Sequence, residues 1–364
     1  MSRSDKYPKL VVDLDKLRRN IDRIRIQCED KGVEIAGVIK GCTGLTECAR
    51  QFAREGCRFI ASSRLEQLET LRSSGIQTQL MMIRVPMLSE VADVVRVTDI
   101  SLNSEIAVLK ALNEEAGAQD KEHQVILMVD LGDLREGFWD KDELLEAALL
   151  TENELHNLKL AGIGTNLGCY GAVAATPEKL EELVERAEMI EEKIGRELEF
   201  ISGGATSTLP RIWEDNLPSR INLLRIGEGI LLAADLQELW GYDMSFMHRD
   251  VFTLRAEVIE VKEKPSHPVG EIMFDAFGAK PEYEDRGMRR RALLALGKVD
   301  YAFCDQLIPR DEGVAILGAS SDHTILHIQD AARSIQVGDV LEFIPHYSNL
   351  VYLTSSPNIQ IVYI

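Results

Sequence analysis

Long apolar runs and aromatic residues are both scarce in this chain. The longest run, VILMVDL at 125–131, falls far short of the roughly 20 residues a membrane-spanning helix needs, which excludes a membrane protein of that kind. Basic residues are in deficit as well: 41 Lys and Arg stand against 60 Asp and Glu, a formal charge of −19. No basic stripe supplies the phosphate-neutralising contacts that nucleic acid requires, so that partner is excluded too. The acidity serves solubility, or attraction of a cationic substrate. Cysteine occurs only at 28, 42, 48, 57, 169 and 304, with no C-x-x-C and no Cys/His spacing of a zinc site, so no metal is expected. Scattered thiols point to a reducing compartment. The first residues, MSRSDKYPKLVVDLDKL, hold no apolar stretch of signal-peptide length, and the expected location is the cytoplasm.

Apolar residues make up 45% of the chain, ample for a large core. Eight short apolar runs recur: EIAGVIK (34–40), RFIASS (58–63), QLMMIR (79–84), DISLN (99–103), QVILMVD (124–130), LKLAGIGTN (158–166), LEFISGG (198–204) and LLRIGEG (223–229). Amphipathic segments of helical period lie between them, among them TPEKLEELVERAEMIEEKIG, which opens with a cap residue and a proline. Runs this continuously apolar suit parallel strands covered on both faces. Eight strand–helix units predict a (β/α)8 TIM barrel over residues 1–240, with an open doubly wound sheet as the alternative. Beyond that point helical periodicity gives way to β-rich runs such as VFTLRAEVIEVKE, HTILHI and IQIVYI, which predict an all-β domain over 241–364. The stretch KLVVDL at 9–14 precedes the first barrel unit and is a candidate to pair with that second domain.

Barrel enzymes carry their chemistry at the C-terminal ends of the strands. That rule selects Lys40 after the first run, Asp130 and Arg135 in VDLGDLREG, Asn166 after the sixth, Gly203, Gly204, Thr206 and Ser207 after the seventh, and Arg225, Gly227 and Glu228 at the eighth. A lysine leaving a dry barrel loses proton affinity by desolvation and becomes a usable amine; the alternative is a lysine that snorkels into water. The SGGATST turn opens a helix and offers backbone N–H groups and hydroxyls, an arrangement suited to a phosphate, and IGEG lies beside it.

These segments resemble the fold-type III pyridoxal-phosphate enzymes of the alanine racemase family, nearly from end to end. GVIKG resembles the segment holding the family's cofactor lysine, which implies that role for Lys40. VDLGDLREG resembles the D-x-G-x-x-R-x-G loop, so Arg135 takes the place of the arginine on the substrate side of the cofactor. LRIGEG resembles the R-x-G turn, which puts Arg225 opposite the pyridine nitrogen and Gly227 and Glu228 at the phosphate. VIEVKEKPSHPVGE, RALLALGKVD and VGDVLEF are similar to the racemase β domain. The forms GEI…DAFG, YEDRG and GASSDH are similar to the ornithine racemase group. The resemblance implies pyridoxal 5'-phosphate as cofactor, a free amino acid as substrate, ornithine or another basic one foremost, and a homodimer in which one subunit's β domain closes the other's barrel.

The departures from the family pattern fall on chemistry. KGCTGLTE lacks the tyrosine that usually follows the lysine, Asn166 stands where a histidine stacks on the ring, and Phe277 stands where a tyrosine serves as the second base. A second base is therefore expected nearby in the β domain: His323 or Asp322 in GASSDH, Asp275 in MFDAFG, or Tyr283 in PEYED. Two other readings stand beside the racemase. One is a non-catalytic pyridoxal-phosphate carrier, which resembles the barrel alone. The other is a metal-dependent D-hydroxyamino-acid aldolase, whose His-x-Cys or His-x-Asp pair is replaced here by His346, Tyr347 and Ser348.

Overall fold

The computed structural model describes residues 6–275 and 277–364. The chain divides into two compact units, Leu17–Met247 and a second made of His248–Ile364 with the described part of Met1–Lys16. After β1 (Lys9–Val12) and α1 (Leu14–Glu29), strands alternate with helices: β2 (Glu34–Val38), α2 (Thr46–Arg54), β3 (Phe59–Ser62), α3 (Leu65–Ser73), β4 (Gln79–Met82), α4 (Val91–Val97), β5 (Ile100–Asn103) and α5 (Ile106–Ala118). The alternation continues through β6 (His123–Val129), α6 (Lys141–Asn153), β7 (Leu158–Thr165), α7 (Pro177–Ile194), β8 (Phe200–Ser202), α8 (Leu209–Trp213) and β9 (Leu223–Ile226), and ends on the short α9 (Glu228–Leu231) and α10 (Asp235–Glu238). β9 pairs back onto β2 with Arg225 opposite Ala36, so β2 to β9 form a closed parallel barrel and not an open sheet. Each of the eight apolar runs supplies one strand, because inward side chains fill the barrel while outward ones lie under the helices.

The N-terminal end of the barrel is filled by Phe59 and Phe200, edge to face at 5.4 Å, with the Arg58 guanidinium over both rings at 5.3 and 5.9 Å. β7 and β8 approach so closely that a Cβ on Gly162 would lie 1.9 Å from the Phe200 carbonyl oxygen, which only glycine permits. On the outer layer, α7 begins at Thr176, whose hydroxyl accepts from the Lys179 amide at 3.3 Å, and stops at Gly195 with φ 74°.

The barrel unit runs past residue 240 to Met247 because GYDMSFM packs on it. Met244 and Met247 are buried, Trp213 meets the rings of Tyr242 and Phe246, and the Tyr242 hydroxyl donates to Glu214.

The second unit is built on β10 (Phe252–Pro265), β11 (Met288–Leu294), α11 (Lys298–Tyr301), β12 (Leu307–Pro309), β13 (Ala315–Ala319), β14 (Thr324–His327), β15 (Val340–Pro345), α12 (Tyr347–Ser355) and β16 (Gln360–Tyr363). Its sheet order is β12–β15–β10–β11–β14–β13, and β1 joins it, antiparallel to β10 and parallel to β16. The sheet is not all of this unit. α12 buries Leu350 and Leu353, three residues apart, and its Asn349 amide donates to the carbonyls of Tyr301 and Phe303, both at 2.8 Å, which satisfies the end of α11. His346 caps α12. Among the described residues no helix is long and apolar enough to cross a membrane.

Candidate active site

On β2, Ala36 and Val38 point into the barrel, and the two-residue period carries on to Lys40. There the chain turns into a short 3-10 helix, closed by the Thr43 and Gly44 amides donating to the carbonyls of Lys40 and Ile39, both at 3.1 Å. The Lys40 amine is mostly dehydrated, which lowers its proton affinity, and the charges of Arg135 and Arg225 lower it further; Cys169 and Glu136 act the other way.

On the neighbouring strand β9, Leu223 and then Arg225 point inward. The Arg225 guanidinium is buried, donating from Nη1 to Ser202 Oγ at 2.6 Å and from Nη2 to the Thr165 carbonyl at 2.8 Å. Ser202 follows Phe200 inward on β8, so both acceptors are neutral barrel groups. Dehydration pulls the Arg225 pKa down to about 10, with Glu136 opposing and Arg135 reinforcing, and the side chain stays cationic at neutral pH. Gly227 follows. A Cβ there would stand 3.1 Å from the Cβ and carbonyl of Val38, so a bare backbone lets this turn close against the end of β2.

The turn after β8 is tied to itself and to the loops on either side. Gly204 has φ 114°, the Thr208 hydroxyl donates to the Gly203 carbonyl at 2.8 Å, and the Ser207 hydroxyl to the Leu167 carbonyl at 2.7 Å. Thr206 Oγ1 accepts from the Gly229 amide at 3.2 Å and so keeps its proton to donate, beside the Gly227–Glu228 turn. Asn166, just beyond β7, has a buried Nδ2 with no partner among the described residues.

The loop after β6 supplies four carboxylates or cations in seven residues. Asp130 Oδ1 accepts from the Gly132 and Leu134 amides at 2.8 and 3.1 Å. Asp133 is buried and accepts the amides of Cys169, Tyr170 and Val173 at 3.2, 3.0 and 3.3 Å, binding the next loop to this one. Arg135 forms a two-pronged ion pair with Glu136 and donates to Cys169 Sγ at 2.9 Å. Glu228 Oε1 accepts from the Ala234 and Asp235 amides at 2.8 and 3.0 Å and so caps α10. Lys40, Arg135 and Arg225 thus form one electrostatic group with two residues that motif reading passed over, Glu136 and Cys169. The signal for Glu136 was its place next to Arg135; Cys169 lies 34 residues from Arg135 and needed the Asp133 tether.

Asp275, Asp322 and His323 sit in the second unit, on two turns bridged by Lys298. The Lys298 Nζ lies 3.7 Å from Asp275 and 4.3 Å from the Phe277 ring centre, while its amide donates to the Ser320 carbonyl at 2.9 Å. Asp275 Oδ1 takes the amides of Phe277 and Ala279, both at 2.9 Å, and these bonds, with Lys298, hold its carboxyl below the usual range. Asp322 accepts from the Ser321 hydroxyl at 2.6 Å. His323 is exposed and anchored by its backbone, its amide donating to Ser320 Oγ at 3.2 Å. Tyr283 is exposed and meets His267 edge-on, with ring centres 6.2 Å apart.

A family model described as the alanine racemase N-terminal domain matches residues 12–235. The chain is 42% identical to ornithine racemase of Acetoanaerobium sticklandii, over 95% of this chain and 96% of that protein. It is 37% identical to lysine racemase of Thermotoga maritima, over 98% of each. Among solved structures, alanine racemase of Streptomyces lavendulae superposes with a TM-score of 0.77 at 18% identity, covering 98% of this chain and 97% of that one, a likeness of fold.

Proposed function

The chain belongs to the alanine racemase family, and from that premise we propose that it is a pyridoxal-phosphate-dependent racemase of a free basic amino acid, ornithine or lysine. The observation that carries this reading is the Lys40–Arg225 pair. A dehydrated amine of lowered proton affinity shares the barrel mouth with a buried guanidinium whose acceptors are neutral. The donor set fits the cofactor: Lys40 for its aldehyde, Arg225 for its ring nitrogen, the orphaned Asn166 Nδ2 for an oxygen acceptor on it, and Gly204, Thr206, Ser207, Gly227 and Glu228 for its phosphate. When bound, pyridoxal phosphate supplies the electron sink that makes the α-proton of an amino acid removable.

The chain's own residues do the rest. Lys40 Nζ, its proton affinity lowered by dehydration and the nearby guanidinium groups, accepts or returns the α-proton on one face. Arg135 holds the substrate carboxylate. For the opposite face we favour His323, because Asp275 is committed to backbone amides and Lys298 and its carboxyl is a weakened base. The active unit is a homodimer.

The test is a panel of free amino acids incubated with purified protein and pyridoxal phosphate, read by chiral chromatography. Ornithine and lysine should interconvert fastest, and Lys40→Ala should lose both the protein-linked chromophore and the activity. A panel in which no enantiomer is converted sinks the proposal. In deuterated water, His323→Ala should stop racemisation while leaving deuterium uptake into one enantiomer only; equal uptake into both removes His323 from the mechanism.

A further inference from the structure

Resting on the racemase reading, we propose that Glu136 is a built-in competitor for the substrate's α-carboxylate, weakening the grip of Arg135 so that either enantiomer is released. The donor inventory of Arg135 carries this. A guanidinium has five N–H groups. Nε and Nη2 give one each to the two Glu136 oxygens, and Nη1 gives one to Cys169 Sγ. Two N–H groups remain, one on each terminal nitrogen. A substrate carboxylate that binds Arg135 with both oxygens takes those two, on the same planar group that already holds Glu136, or displaces Glu136 outright. By either route it meets the Glu136 charge.

Further observations fix the direction of the effect. The Glu136 side chain is 19% exposed and that of Arg135 34%, so water only partly screens the repulsion between two carboxylates here. The Glu136 charge also reaches beyond its partner, raising the proton affinity of both Lys40 and Arg225. Arg135 has a second anchor besides Glu136. Cys169, which accepts from it, is itself fastened through its amide to Asp133 at 3.2 Å. Neutralising Glu136 thus removes a rival anion without setting the guanidinium adrift. The benefit lies in the reaction. Substrate and product of a racemase carry the same carboxylate, and an unopposed Arg135 at a barrel mouth that also holds Arg225 would retain both alike.

δ-Aminovalerate, which is ornithine without its α-amine, and the uncharged amide of δ-aminovalerate form a matched pair that differs at the carboxylate alone. Each is measured as an inhibitor of ornithine racemisation by the wild-type holoenzyme, Glu136→Gln and Glu136→Asp. The quantity read is the ratio of inhibition constants, amide over acid. General damage to the site scales both inhibitors and cancels. Glu136→Gln should raise the ratio roughly 10- to 100-fold, the range for relieving two like charges a few ångströms apart in a partly screened site, and should lower the KM for ornithine. Glu136→Asp keeps the charge and should hold the ratio near the wild-type value. In the cofactor-free protein, Glu136→Gln should also move the acylation of Lys40 to lower pH, because a charge that favoured its ammonium form is gone. An unchanged or lowered ratio in an active Glu136→Gln protein overturns the competitor role and leaves the racemase reading standing. A wild-type protein that racemises neither ornithine nor lysine overturns both.

Discussion

At the scale of single residues, dehydration holds two buried bases toward their neutral forms. Lys40 is dry and faces two guanidinium groups, so its amine is neutral at a pH where ordinary lysines are still ammonium. In the cofactor-free protein Lys40 should therefore react with an amine-directed acylating reagent at lower pH than the other lysines, read by peptide mass spectrometry. Removing one of the two cations in Arg135→Gln should move that profile to higher pH. A profile that stays put would mean Arg135 does not act on the amine. His123 is buried at the start of β6, its Nε2 2.8 Å from Ser101 Oγ, and dehydration depresses its pKa from 6.5 to about 4. The unfolded chain takes up a proton below 6.5 that the folded chain refuses until about 4. Stability is thus full above the upper value, is lost as pH falls through this window, and levels off below it. The loss is on the order of 3 kcal/mol. His123→Gln should flatten this part of a urea-unfolding series; an equally steep decline in the variant would assign the acid sensitivity elsewhere.

At the scale of elements, the barrel mouth depends on one loop tethering another. Asp133 receives three amides from residues 169–173, so a single carboxylate fixes where Cys169 lies relative to Arg135. Asp133→Ala leaves those amides without their acceptor and should cost about 1–3 kcal/mol. Hydrogen exchange should accelerate at Cys169, Tyr170 and Val173 while the barrel strands remain protected. Activity should fall on the order of 10- to 100-fold, since small displacements of positioning groups carry that penalty. Unaltered exchange in the loop would show that the tether is redundant. The Ser207 hydroxyl acts similarly between loops, tying the turn after β8 to the Leu167 carbonyl beyond β7, while the Thr208 hydroxyl closes that turn on the Gly203 carbonyl.

At the scale of the whole molecule, charge governs assembly. Each chain carries −19, so two copies repel at long range, and that repulsion is screened within about 10 Å at 0.1 M salt. The proposed homodimer should accordingly tighten as ionic strength rises, measured by sedimentation equilibrium across a salt series. A dimer that loosens with salt would point to an interface dominated by opposite charges. A fully active monomer at assay concentration would remove the dimer from the mechanism.

The eight strands were legible in the sequence because a parallel barrel strand is buried on both faces and must be apolar throughout. The same logic located Lys40 and Arg225, since a two-residue period beginning at Ala36 or Leu223 leads straight to them. The second unit was legible as a sheet but not in its helix α12, a nine-residue segment whose register depends on Asn349 reaching the carbonyls of Tyr301 and Phe303. That β1 pairs with the second unit was a candidate from the sequence, but its register with β10 and β16 joins residues 240 or more positions apart, which no local pattern encodes. Which carboxylates are occupied was decided by tertiary structure alone. Asp133 and Glu136 are three residues apart with the same charge, yet one is spent on backbone amides and the other on a guanidinium. Composition and periodicity act through burial, which neighbours in the sequence largely determine. The state of a polar side chain instead depends on which donor the fold delivers to it from elsewhere in the chain.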